Sequence, residues 1–321
     1  MPSTKEIKGR MKSVSDTQKI TNCMYMIAST KMRRAKAELD KTRPYFDALQ
    51  TEIERVFQVD RKIKSRYFYE EDIPGKKESE TDIAKRRKAE RGAVACLVIT
   101  ADKGLAGAYN QNILKAAMAM REEYTDLKLF VVGEYGRRFF DSRHIAVEKS
   151  FLYTAQNPTI SRAREIGKVL LDQFDKNEIR EIYILYTDLK SSIREEVIKE
   201  RLLPFYRSDF KAEKGKRKLQ KDFEFVPNLR TVLETSARNY LPGYVYSALV
   251  DSFCSEQNAR MEAMSAASDN AEKIMDKLRL QYHRARQAAI TREITEVSAG
   301  AKAQRKKKLK KLEEMRSETG E

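Results

Sequence analysis

The sequence predicts an α/β protein: a mainly parallel, helix-covered sheet in a central domain, flanked by a long antiparallel coiled coil of the N- and C-terminal helices. Three observations carry that reading. Both ends of the 321-residue chain run far without Gly or Pro. Each end repeats an apolar position every three or four residues, and between the ends the period shortens to that of strands.

At the N-terminal end, Ser3 and Glu6 fit a capping box, and no Gly or Pro interrupts the chain between Gly9 and Pro44. From Met11, steps of three and four reach Val14, Gln18, Thr21, Tyr25, Ala28, Met32, Ala35, Leu39, Thr42, Phe46, Leu49, Ile53 and Val56. That is a heptad seam with three polar interruptions. Pro44 predicts a kink or a restart within it rather than its end.

The C-terminal end matches. Between Gly243 and Gly300 lie 56 residues with neither Gly nor Pro. As one helix they would span roughly 84 Å, more than a small domain can enclose. Ala263, Ala267, Ala271, Ile274, Leu278, Tyr282, Ala285 and Ala289 share a face of that helix. Its alanines let a second helix come close, so the two ends are expected to pair.

In the middle, "AVACLVIT" (93–100), "LKLFVV" (127–132), "HIAVEKSF" (144–151) and "EIYILYTD" (181–188) read as strands. Helical stretches at 108–124 and 159–176 separate several of them. Continuous apolar strands alternating with helices argue for a parallel sheet covered on both faces. The run 193–205 adds an edge strand that Pro204 ends. Charged, turn-rich sequence marks connections at 59–92 and 211–222. The expected divisions are an N-terminal coiled-coil helix (1–58), the connection (59–92), an α/β domain (93–228), C-terminal helices (229–301) and a basic tail (302–321).

Hydrophobic residues make up 41% and charged residues 35%, which suits a folded chain with much exposed helix and excludes a disordered one. The net charge of +16 brings an acidic partner, nucleic acid or an anionic surface into consideration, beside a solvated helix face with a flexible tail. Residues 1–43 hold 11 Lys and Arg against four Asp and Glu, and "KAQRKKKLKKLEEMR" forms a second basic cluster at 302–316. Nucleic acid is not the expected partner, because there is no RNP motif, helix-turn-helix spacing or aromatic stacking platform. Cys23, Cys96 and Cys254 are far apart in apolar stretches and read as reduced core thiols. His144 and His283 read as surface residues. No 18-residue apolar run occurs. The basic first helix resembles a transit peptide in charge, but it merges into the longer seam and reads as part of the mature protein.

Catalytic and metal-binding residues are not expected. "TADKGLAGAYN" (100–110) stands where phosphate loops sit, yet fits neither GxGxxG nor GxxxxGK[ST]. It reads as a tight strand-to-helix turn, with Asp102 and Lys103 capping and neutralising it. Glu293 and Glu296 share a helix face as solvated charge rather than as an acid/base pair. The stretch "NCMYMIAST" (22–30) carries the strongest functional signal. Cys23, Met24, Met26 and Ile27 with Ala28 make its helix apolar on nearly every face, so it must be buried all round. One partner helix covers one side; a further partner must enclose the rest, as a sleeve encloses a shaft.

Three stretches in order carry a family resemblance. They are "KEIKGRMKSVSDTQKIT" with "MIASTKMRRAK", then "TADKGLAGAYN", then "SEQNARMEAMSAASDNA" with "ARQAAITREITEVSAGA". The last meets the pattern I-T-x-E-x-x-[DE]-x-x-x-G-A at Ile290, Thr291, Glu293, Glu296, Gly300 and Ala301. Over about residues 2–301 the chain resembles the γ subunit of F-type ATP synthases, the central rotor stalk. The resemblance implies an α/β domain flanked by a coil that enters a ring of three α and three β subunits. It also implies contacts with an ε subunit and a c-subunit ring, through which alone the chain meets the membrane. Arg286, Gln287, Thr291 and Glu293 then match positions that touch loops of the catalytic β subunits. Lys8, Lys12, Lys31, Arg33 and Arg34 would face an acidic β loop, Met24 would be sensitive to coupling, and Phe223, Glu224 and Phe225 would approach the c ring. No cofactor is implied, and the chain would act peripherally on the cytoplasmic side of a bacterial cell membrane. The longer segment 59–92 and the residues from Lys302 to Glu321 depart from the family pattern. Two readings of the latter stay open: a solvated tail, and a brake or peripheral-stalk contact.

Overall fold

The computed structural model describes residues 3–60, 63–68, 92–148, 151–191, 194–210 and 224–318. Four strands, β1 (Ala93–Ile99), β2 (Leu127–Val132), β3 (Ile179–Ser191) and β4 (Arg194–Leu203), form one sheet in the order β2-β1-β3-β4. The helices are α1 (Thr4–Val59), α2 (Tyr109–Glu123), α3 (Glu134–Asp141), α4 (Ile160–Asp175) and α5 (Leu229–Glu318). Two compact units result, Met1–Met24 with Met264–Glu321, and Tyr25–Ala263. Both α1 and α5 pass through each of them.

In the Tyr25–Ala263 unit, β1 pairs in parallel with β2 and with β3, and β3 pairs antiparallel with β4. Every β1 residue is buried, as its unbroken apolar run requires of a strand covered on both faces. Ala95, Leu97 and Ile99 join one core with α4, α1 and the first part of α5, while Val94, Cys96 and Val98 join another with α2. Edge strand β4 ends at Pro204, as the sequence predicts. Within this unit α1 and α5 lie antiparallel. The Cys254 thiol donates to the Met32 carbonyl at 3.9 Å, and a Cβ on Gly243 would sit 1.9 Å from the Phe46 ring. Residue numbers thus rise on one helix as they fall on the other. A Cβ on Gly167 of α4 would likewise meet the Pro242 ring at 3.1 Å. At Pro242 and Gly243, which read as a break in sequence, α1 and α4 both approach α5 closely.

In the other unit, Ile7 and Thr21 of α1 are buried, with Met11, Val14 and Gln18 half-buried between them. On α5 the buried stripe runs through Met264, Ala271, Met275 and Leu278 to half-buried Tyr282 and Ala285. This corrects the sequence reading at two positions. Ile274 is exposed and Met275 takes its place, because the three-and-four stepping counts from Met264; Ala289 is exposed as well. In the α/β unit the α1 seam continues through Ala28, Ala35, Leu39, Ile53 and Val56, with Tyr25 its one exposed position.

Three further differences have physical causes. Residues 144–148 form no strand; Ile145 is buried against the core, but one backbone bond, from Glu148 N–H to the Leu129 carbonyl, replaces a ladder. Cys23 is exposed rather than a core thiol, while Cys96 and Cys254 are buried. Ile63, Tyr67 and Phe68 are buried, although the sequence reads them as part of a charged connection. Phe68 and Phe205 form a β-bridge, and Arg66 donates to the Asp175 carbonyl at 2.9 Å, one of the open carbonyls that end α4. The predicted loop 211–222 lies outside the described residues.

Candidate functional site

An open α/β sheet binds ligands in the crevice beyond the carboxyl ends of its strands, where the connections diverge. In this chain that crevice is filled by its own helix α5. The Ser252 hydroxyl oxygen accepts from Thr187 N–H at 3.5 Å and shares a hydrogen bond with the Tyr109 hydroxyl at 2.7 Å. One turn on, Ser255 donates to the Thr187 carbonyl at 3.1 Å. Ala259 packs against Ala101, Ala106 and Tyr109. Arg260 donates to the Gly104 carbonyl at 3.1 Å and pairs with Glu256 at 2.7 Å, the Glu256 side chain being buried and that of Arg260 partly so. Burial raises the Glu256 carboxyl pKa, and Arg260 opposes the shift. The "TADKGLAGAYN" loop and the "SEQNARM" turn, separate motifs in sequence, are therefore one docked structure.

Asp102, which the sequence reads as capping the strand-to-helix turn, reaches beyond it to other loops. Its carboxylate accepts from the backbone N–H of Glu134 at 3.1 Å, and from those of Ala155 and Gln156 at 3.0 Å each. An anion at the N-terminus of α3 is stabilised by open N–H groups and the helix dipole. Here the chain supplies the anion. Asp102→Asn, which keeps one acceptor for three donors, is expected to lower stability by about 2 kcal/mol. Thermal unfolding of the purified chain checks this, and an unchanged midpoint would remove Asp102 from its assigned role. Among the described residues, no group of three or more His, Cys, Asp and Glu could hold a metal ion.

The sequence-predicted contact residues lie elsewhere, on open helix. Lys8, Lys12, Lys31, Arg33 and Arg34 are exposed on α1. Arg286, Gln287, Thr291 and Glu293 are exposed within about two turns of α5, as is Glu296. Met24 is half-buried; Met26 and Ile27 are 68% and 55% exposed, while Ala28 is fully buried. The chain thus covers one side of this apolar helix and leaves the rest bare. From Arg286 to Lys308 every residue of α5 is exposed, including Ile290, Ile294 and Val297. Glu224 is exposed, Phe225 packs half-buried against the α/β core, and Phe223 lies outside the described residues. Among the described residues, no helix is long and apolar enough to cross a membrane.

A crevice closed by the chain's own helix, together with uncovered apolar side chains at Met26, Ile27, Ile290, Ile294 and Val297, marks a chain with surface for other chains to cover. A family model described as ATP synthase matches residues 3–304. The ATP synthase gamma chain of Acetivibrio thermocellus is 39% identical over 308 residues, covering 94% of this chain and 99% of its own. That of Caldanaerobacter subterraneus subsp. tengcongensis is 37% identical over 306 residues, covering 92% and 98%. Two solved structures share the fold. One is a chain of the Euglena gracilis mitochondrial ATP synthase OSCP/F1/c-ring assembly, with a TM-score of 0.54 and 15% identity over 92% of this chain and 95% of that one. The other comes from the central stalk and c ring of the Tetrahymena thermophila enzyme, with a TM-score of 0.52 and 22% identity over 78% and 99%. The chain belongs to the ATP synthase gamma chain family, whose members are non-catalytic stalk subunits.

Proposed function

We propose that the chain turns as the central shaft of an F-type ATP synthase, coupling ion flow through the membrane sector to ATP synthesis or hydrolysis at catalytic β subunits. The observation that carries this reading is the bare apolar helix at Met26 and Ile27 and from Ile290 to Val297. A soluble chain gains by covering such surface, and a sleeve of three α and three β subunits would cover it on every side. Within that sleeve, Arg286, Gln287, Thr291 and Glu293 meet β-subunit loops. Lys8, Lys12, Lys31, Arg33 and Arg34 face acidic ones. The ε subunit and the c ring bind the α/β part, with Phe223, Glu224 and Phe225 toward the ring. The membrane, on the cytoplasmic side of a bacterial cell, is reached only through that ring.

Such a shaft acts by bias. Its faces differ, so each of three β sites meets a different surface. Switching a two-state site from 1:99 to 99:1 takes about 5.5 kcal/mol of differential interaction. A few charge-assisted hydrogen bonds around Arg286 to Glu293, together with changing burial at Met24 to Ile27, reach that order. Linkage makes the effect reciprocal, so nucleotide binding presses back on the shaft.

Gln287→Ala with Thr291→Ala is expected to lower ATP hydrolysis or ATP-driven ion pumping of the reconstituted complex about tenfold. The chain's own unfolding should stay unchanged, because both residues are exposed. Full activity in the doubly substituted complex would refute their contact role.

A further inference from the structure

Helix α5 outruns the family match. The match closes at residue 304, whereas the helix continues to Glu318. No Asp or Glu stands between Glu296 and Glu313, and seven Lys and Arg fall in that interval. Lys302, Arg305, Lys306, Lys307 and Lys308 are all exposed, and among the described residues none forms an ion pair. Lys302 and Lys306 are four apart and Arg305 and Lys308 three apart, spacings at which like charges oppose a helix. Gly300, just before them, opposes it too. From Lys302 to Lys308 the helix is one that its own charges disfavour, with no neutralising partner among the described residues. An anionic surface alongside would supply both.

We propose that the helix from Lys302 onward docks on a carboxylate-rich protein surface of the subunits that surround residues 286–301, and that this contact drags electrostatically on the turning shaft. The inference rests on the shaft reading given above. Protein is the occupant because this helix continues directly from the turns that the sleeve encloses. A nucleic-acid site would call for stacking side chains, and no aromatic residue occurs from Arg286 to Lys308. Attraction between a rotor and its housing deepens the resting orientations, so each turn must climb out of them. Salt removes it, since the screening length falls from about 10 Å at 0.1 M to about 3 Å at 1 M.

The test compares lipid-free, nuclease-treated complexes of α, β and ε subunits containing the full chain, a chain ending at Gln304, or the full chain with Lys306, Lys307 and Lys308→Gln. ATP hydrolysis is followed from about 50 mM to about 500 mM KCl. At low salt the full-length complex is expected to run about threefold slower than the other two, and all three converge at high salt. Arg in place of the three lysines should keep the slow rate. Indistinguishable salt profiles overturn the proposal. So does a difference that appears only when RNA or anionic vesicles are added back. Failure of the full chain to assemble with α and β subunits is read before any salt titration, and it sinks the shaft reading itself.

Discussion

Gly133→Ala is expected to unfold the α/β part of the chain. Gly133 joins β2 to α3 with φ of 97°, a backbone conformation that side chains rarely allow. A Cβ there would lie 2.2 Å from the Thr100 carbonyl oxygen and 2.8 Å from that of Ala101. Both are backbone atoms at the end of the central strand, held by the Thr100 N–H bond to the Val132 carbonyl at 2.9 Å, so neither can yield cheaply. Strain and collision together should exceed about 4 kcal/mol, a large part of the roughly 5–15 kcal/mol a domain has to lose. Gly9 supplies the control. It lies inside α1 with nothing within 4 Å of its missing Cβ, so Gly9→Ala should stabilise the chain by up to about 1 kcal/mol. Thermal unfolding of the two variants decides it; a Gly133→Ala chain melting like the parent would contradict the geometry.

Met26→Glu with Ile27→Glu should give the opposite pattern. Both side chains point mainly into solvent, so the purified chain should unfold within about 0.5 kcal/mol of the parent. In the assembled complex the same carboxylates would be buried without partners. Assembly or coupled activity is then expected to fall by at least tenfold. Parent-like activity would mean that nothing encloses this turn of helix.

The strands and both seams were legible because each depends on a local period: an unbroken apolar run for β1, three-and-four stepping for α1. What was not legible depends on contacts distant in sequence. Ile145 and Val147 imitate a strand because they alternate, but their apolar side serves packing against α2 and the sheet rather than pairing. Tyr67 and Phe68 hide within a charged stretch; their burial is set by Phe205 and Asp175, more than 100 residues away. Pro242 and Gly243 punctuate the sequence as a helix end would. The small Gly243 and the flat Pro242 ring instead let α1 and α4 approach α5. For the candidate site, periodicity located the bare helix at Cys23 to Ile27, since a helix apolar all round declares its own need of cover. The filled crevice needed coordinates, because Ser252, Ser255 and Arg260 look like ordinary helix residues until Thr187 and Gly104 are set against them.

Helix left bare at Met26, Ile27, Ile290, Ile294 and Val297 also bears on how the protein is made. A copy synthesised without its companions presents adhesive patches to its surroundings, where clumping and proteolysis compete with assembly. Production matched in number and time to those companions, or a chaperone that shields the rod until they arrive, is therefore a condition of its survival.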